Sequence, residues 1–154
     1  MKPMPIRSAV LVLALAACRD PGSAGDNARA DPRDAQKVAL GAKVYVQHCA
    51  ACHGARLEGQ PDWRRRLPNG RLPAPPHDES GHTWHHTDSV LFGITQHGLV
   101  PPYAPVDYQS DMPAFAGKLS DEEIWAVLAH IKSKWTSRDV LDMRAEMLRN
   151  ARKQ

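Results

Sequence analysis

The sequence predicts an all-α domain of three to five helices, and three observations carry that prediction. Apolar residues recur at helical spacing in the stretch that runs into Cys49, and again after Ser120. The second stretch opens on a capping box, Ser120-Asp121-Glu122-Glu123. Between the two, prolines at 61, 68, 73, 75, 76, 101, 102, 105 and 113 exclude long helices across most of the centre. The 154 residues suffice for one small domain and not comfortably for two. With only 6% aromatic residues and 13 prolines, such a chain buries a thin core of its own. A formal charge of +3, with no basic run interleaved with aromatics, excludes nucleic acid as a partner. The densest basic cluster, Arg64-Arg65-Arg66, reads as a solvated loop.

The first element is a targeting segment. Lys2 and Arg7 precede an unbroken run of small or apolar residues from Ser8 to Ala17. As a helix those residues span ~15 Å, half of a ~30 Å hydrocarbon core, which fits the apolar region of a signal peptide and not a membrane span. The run ends Leu15-Ala16-Ala17-Cys18, which resembles a bacterial lipobox. That resemblance implies cleavage after residue 17, a diacylglycerol on the Cys18 thiol, and anchoring by several acyl chains on the periplasmic side of a membrane. The alternative is plain secretion with Cys18 incidental. Residues 18–33 are small, polar and rich in Gly and Pro, the composition of a flexible tether.

The domain itself is expected over residues 34–135. A helix starts near Asp34, with Val38, Ala42, Tyr45 and Val46 on one face. The sixty residues after Gly54 are loop-rich, which suits a compact domain only if the loops wrap a ligand. One helix interrupts them at Thr87 to Gln96, where Thr87 can cap and Val90, Leu91 and Ile94 form a short apolar stripe. After Ser120, Ile124, Val127, Leu128 and Ile131 share a face of a helix that ends near Lys134. Residues 136–154 form a basic tail, compatible with a last helix that turns Val140, Leu141, Met147 and Leu148 inward.

Cys49-Ala50-Ala51-Cys52-His53 carries the chemistry. Two cysteines three apart at a helix end can reach the two vinyl groups of one porphyrin, and the adjacent histidine can ligate its iron. A thioredoxin-like redox pair would need a βαβ setting, and a zinc site two further ligands at suitable spacing. The sequence offers neither. The chain holds three cysteines, so lipid on Cys18 and one haem on Cys49 and Cys52 leave no thiol over.

With Gly41, Tyr45, Cys49 to Gly54, Met112-Pro113-Ala114-Phe115 and Trp125, the segment from about Asp34 to Lys134 resembles the class I cytochromes c. The resemblance implies their all-α fold, three to five helices around one covalently bound haem c. It also implies that Gly41 lets the first helix approach Trp125 of the helix after Ser120. By the same pattern Cys49, Cys52, His53 and Met112 bind the cofactor, with His53 and Met112 as axial ligands. Met143 and Met147 lie in the tail, where packing accounts for them. His/Met ligation raises the reduction potential and fills the sixth site.

The expected function is single-electron transfer on the periplasmic side, with redox proteins as donor and acceptor. The chain would act as a monomeric carrier or as a subunit of an oxidoreductase complex, with no catalytic residues of its own. Two alternatives stay open. One is a haem enzyme or gas sensor in which Met112 is labile. The other is a copper-handling protein whose working part is the cluster His77, His82, His85 and His86, with an auxiliary haem. His97 follows that cluster, and bis-His ligation is the remaining use of these side chains. Trp63, Arg71 and Trp84 are donors suited to haem propionates.

Overall fold

Three of the helices begin where a side chain satisfies free backbone N–H groups. In the computed structural model, which describes residues 28–151 and residue 153, α1 covers Ala35–His48. The Asp34 carboxylate accepts from the N–H of Gln36 at 3.0 Å and of Lys37 at 3.1 Å. A kink at Cys49 leads into a single turn, α2, Ala50–His53. A 3₁₀ turn at Thr83–His85 precedes α3, Asp88–His97, whose Thr87 hydroxyl accepts from Val90 N–H. The capping box of Ser120 and Glu123 closes in both directions at the start of α4, Asp121–Lys132. Then comes α5, Arg138–Ala151. Among the described residues the only β pairing is one isolated bridge, Ala116 to Leu119, so the domain is all-α as the sequence predicts. No described helix is long and apolar enough to cross a membrane.

The frame is the crossing of α1 on α4. Gly41 makes it possible, because a Cβ there would collide with the Ala126 carbonyl and lie 2.9 Å from His130 Cβ. This corrects the expected pairing of Gly41 with Trp125. Gly41 and Tyr45, one turn apart, meet Ala126 and His130, also one turn apart; the Tyr45 and His130 rings lie 5.6 Å apart. A step of one residue turns a helix by about 100°, so Trp125 points elsewhere and stacks on Phe92 of α3 at 4.3 Å. The same rotation exposes Val46 (69%) and buries Val44 (3%) in its place. On α4 all four expected residues, Ile124, Val127, Leu128 and Ile131, are buried with Leu119 and Trp135.

The ends of the domain are tied more tightly than composition suggests. Ala30, in the segment read as tether, is fully buried, and Lys37 Nζ donates to the Arg29 carbonyl at 2.9 Å. Arg29 itself lies over the Trp125 ring. The signal segment and the lipobox Cys18 lie outside the described residues.

The tail is indeed helical, but its inward residues are Val140 and Arg144. Leu141 is 43% exposed, and Met147 and Leu148 are half-buried. The reason is polar. Arg144 donates to the carbonyls of Trp84 (2.8 Å) and His86 (2.6 Å) and pairs with Asp88, which also takes Lys132 Nζ at 2.5 Å. All three charged groups are buried, so one carboxylate joins α3, α4 and α5.

Candidate functional site

His53 ends the one-turn helix α2 and is buried, 8% exposed. Its Nδ1 lies 2.8 Å from the Pro75 carbonyl oxygen. A carbonyl can only accept, so Nδ1 carries the proton, and Nε2 keeps a lone pair for a metal. Burial pushes the imidazole below its ordinary range and outweighs the opposing effect of the Pro75 bond, so the ring is neutral near pH 7. This is the arrangement a ligating histidine needs, with tautomer and ring orientation set by a partner behind it.

Local chain geometry delivers that carbonyl. Gly59, at φ +70°, donates its N–H to the His53 carbonyl at 2.7 Å. A Cβ on Gly59 would sit 2.5 Å from Pro76 N, so only glycine lets the Pro75-Pro76 segment pass this close. Gln60 clamps the same segment, its N–H donating to the Ala74 carbonyl while its Oε1 accepts from Ala74 N–H, both at 2.9 Å. The Tyr45 hydroxyl, carried on α1, donates to the Gly54 carbonyl at 3.0 Å and closes the turn from the other side.

Cys49 and Cys52 are free thiols, the first half-buried and the second exposed. Three residues apart across the α1–α2 junction, they are neighbours on one side of the chain. Burial, with a smaller contribution from Cys52, pushes the Cys49 thiol up to about 11. A thioredoxin-like pair works through a thiolate of lowered pKa, so this environment opposes that use of the two sulfurs.

Met112 comes from a different segment. It is half-buried and packs against the same apolar core as Cys49, Ala50, Phe92 and Trp125. Its N–H donates to Ser110 Oγ at 3.0 Å, and the following residues are fastened to the end of α3 through Phe115 N–H to the Thr95 carbonyl and Ala116 N–H to the Gln96 carbonyl. Arg71, considered above as a propionate donor, pairs instead with Asp111 beside Met112. The structure thus joins Cys49, Cys52 and His53 in one turn and sets Met112 on a loop over the shared core. These residues fit a haem: two thiols for attachment, a preoriented imidazole, a thioether and an apolar wall.

The other histidines have partners elsewhere. The His77 ring stacks on His53 with centroids 3.9 Å apart, and its Nδ1 lies 2.9 Å from Thr83 Oγ1. His77 thus lies flat against His53, with Nδ1 engaged by Thr83. His82 stacks on Trp63 and His85 on Trp84. Among the described residues no three His, Cys, Asp or Glu side chains converge on a metal position. The Trp84 indole N–H donates to the Glu79 carbonyl, and Trp63 lies between Arg64 and His82. Sequence reasoning missed Pro75 and Trp135, whose N–H donates to the His77 carbonyl at 2.9 Å. The run of prolines at 73, 75 and 76 marks a stiff segment but not the residue it serves.

Comparison with known proteins adds one finding. A family model described as Cytochrome c matches residues 38–135, more than half of the chain. No curated protein and no solved structure matches it.

Proposed function

We propose, since this chain belongs to the cytochrome c family, that it relays single electrons on the periplasmic side of a membrane through a haem with His53 and Met112 as axial ligands. Family membership makes the chain a haem-binding electron carrier whose haem c is covalently attached. The finer assignment rests on one observation above all, the Pro75 carbonyl behind His53 Nδ1, which presents Nε2 as a ligand. Cys49 and Cys52 would hold the macrocycle by thioether bonds.

When bound, the haem supplies one reversible electron at its iron. The chain does the rest. His53 keeps its proton on Nδ1, from which it donates a hydrogen bond to the Pro75 carbonyl, so ligation through Nε2 would need no proton release. Met112 would hold the group with a soft sulfur, which favours the reduced state and would leave no place on the iron for other molecules. Phe92 and Trp125 stack on each other and pack, like Met112, against the apolar core, a setting whose burial would tune the potential of the group. Redox proteins are the partners, and Leu15-Ala16-Ala17-Cys18 supports a lipid anchor at Cys18.

The attachment is tested by a Cys49→Ser/Cys52→Ser double variant, with haem stained on a denaturing gel. The unaltered chain should carry the stain and the variant none. Stain on the variant would place the covalent bond elsewhere.

A further inference from the structure

The methionines of α5, Met143 and Met147, have no part in the proposed haem site. Met143 is 48% exposed, although the helix buries only Val140 and Arg144. Core packing therefore does not account for it. Met147 lies one turn on, so the two thioethers share a face. Both line a cleft of about 510 Å³ between α5 and the 3₁₀ turn Thr83–His85, together with Trp84, His85, Arg144 and Glu146. The His85 ring lies stacked on Trp84, centroids 3.6 Å apart, at the wall opposite the methionines.

From this juxtaposition we propose that Met143, Met147 and His85 form a binding site for a soft monovalent cation, with Cu(I) as the ion it takes. Thioether sulfur selects Cu(I) over the harder divalent ions, and imidazole accepts it as well. Three neutral donors suit a monovalent ion, and the carboxylate of Glu146 adds negative charge at the rim. Arg144 does not oppose binding strongly, because its guanidinium is turned to the Trp84 and His86 carbonyls and to Asp88. Those same bonds fix α5 against the turn and hold the two walls of the cleft in register. The histidine loop alone does not offer such a site: among the described residues no three His, Cys, Asp or Glu side chains converge on a metal position, and His77 is engaged with Thr83.

The test uses the full holoprotein, kept ferrous with ascorbate under nitrogen so that the haem cannot oxidise the ion. The protein is incubated with Cu(I), desalted, and its copper counted against haem iron. The unaltered protein should retain one copper per iron. Met143→Leu/Met147→Leu, which keeps apolar bulk, should lose at least ~90% of it with the haem spectrum unchanged, since thioethers and not shape select the ion. His85→Gln should weaken retention, while His82→Gln/His86→Gln should not. Three results would overturn the site: no copper retained, equal retention by the double-leucine variant, or a changed haem spectrum showing that the copper had taken Met112.

Discussion

At the scale of single residues, the division of labour proposed for His53 and Met112 follows from what stands behind each. His53 is fixed by a backbone carbonyl, a buried turn and the Tyr45 hydroxyl, whereas Met112 rides on a loop held by Ser110 and by two backbone bonds to α3. Met112→Ala should therefore leave the haem attached and His53 in place while opening the sixth site. Carbon monoxide added to the reduced variant should shift its absorption; a six-coordinate, sulfur-ligated spectrum in the variant would assign the ligand to another residue. The attachment motif was legible because thioether chemistry demands side-chain identity at a fixed spacing. Pro75 was not, because a carbonyl oxygen is common to every residue and only the fold says which one points at an imidazole. Gly59 was silent for the same reason: its role depends on a proline pair sixteen residues on.

At the scale of elements, caps and apolar spacing located α1, α3 and α4 to within a residue or two, since those signals are local. The facing of the helices was less legible. Val46 and Val44 compete for the same stripe, and the close backbone contact at Gly41 decides between them by rotating α1. In α5 the apolar pattern misled because a buried arginine, Arg144, sets the register. Asp88 is the hub of that arrangement, pairing one oxygen with Lys132 and the other with Arg144. Burial depresses both cations' affinity for their protons, and Asp88 opposes that shift in each. Removing the shared partner of a buried ion pair leaves uncompensated charge, so Asp88→Asn should cost ~3–5 kcal/mol. Denaturant unfolding of the holoprotein measures it, and a loss below ~1 kcal/mol would show that water or other groups satisfy the two cations.

At the scale of the whole molecule, two short helical arms and a proline-rich centre make sense as one structure organised around a large apolar group. Apart from the helix expected at Thr87 to Gln96, the centre was predicted as loop, because its order comes from long-range bonds such as His77 N–H to the Leu57 carbonyl, which leave no periodicity. The packed part of the chain starts earlier than composition implies, since Ala30 is already buried in the core. About a dozen residues between Cys18 and Ala30 would then separate lipid from domain, a reach of at most ~3.5 Å per residue. Cys18→Ser should move the holoprotein from the membrane pellet to the soluble periplasmic fraction. If it continued to sediment with membranes after a high-salt wash, the lipid anchor would be wrong.

The proposed electron carrier requires a haem held by both His53 and Met112. Absorption spectra of the purified holoprotein test it most directly, recorded oxidised and reduced into the near infrared, with carbon monoxide added to the reduced form. A low-spin reduced spectrum, a weak sulfur-to-iron band when oxidised and no response to carbon monoxide are the predicted result. A clear shift with carbon monoxide would contradict it, marking an open sixth site and a haem that binds ligands rather than only relaying electrons.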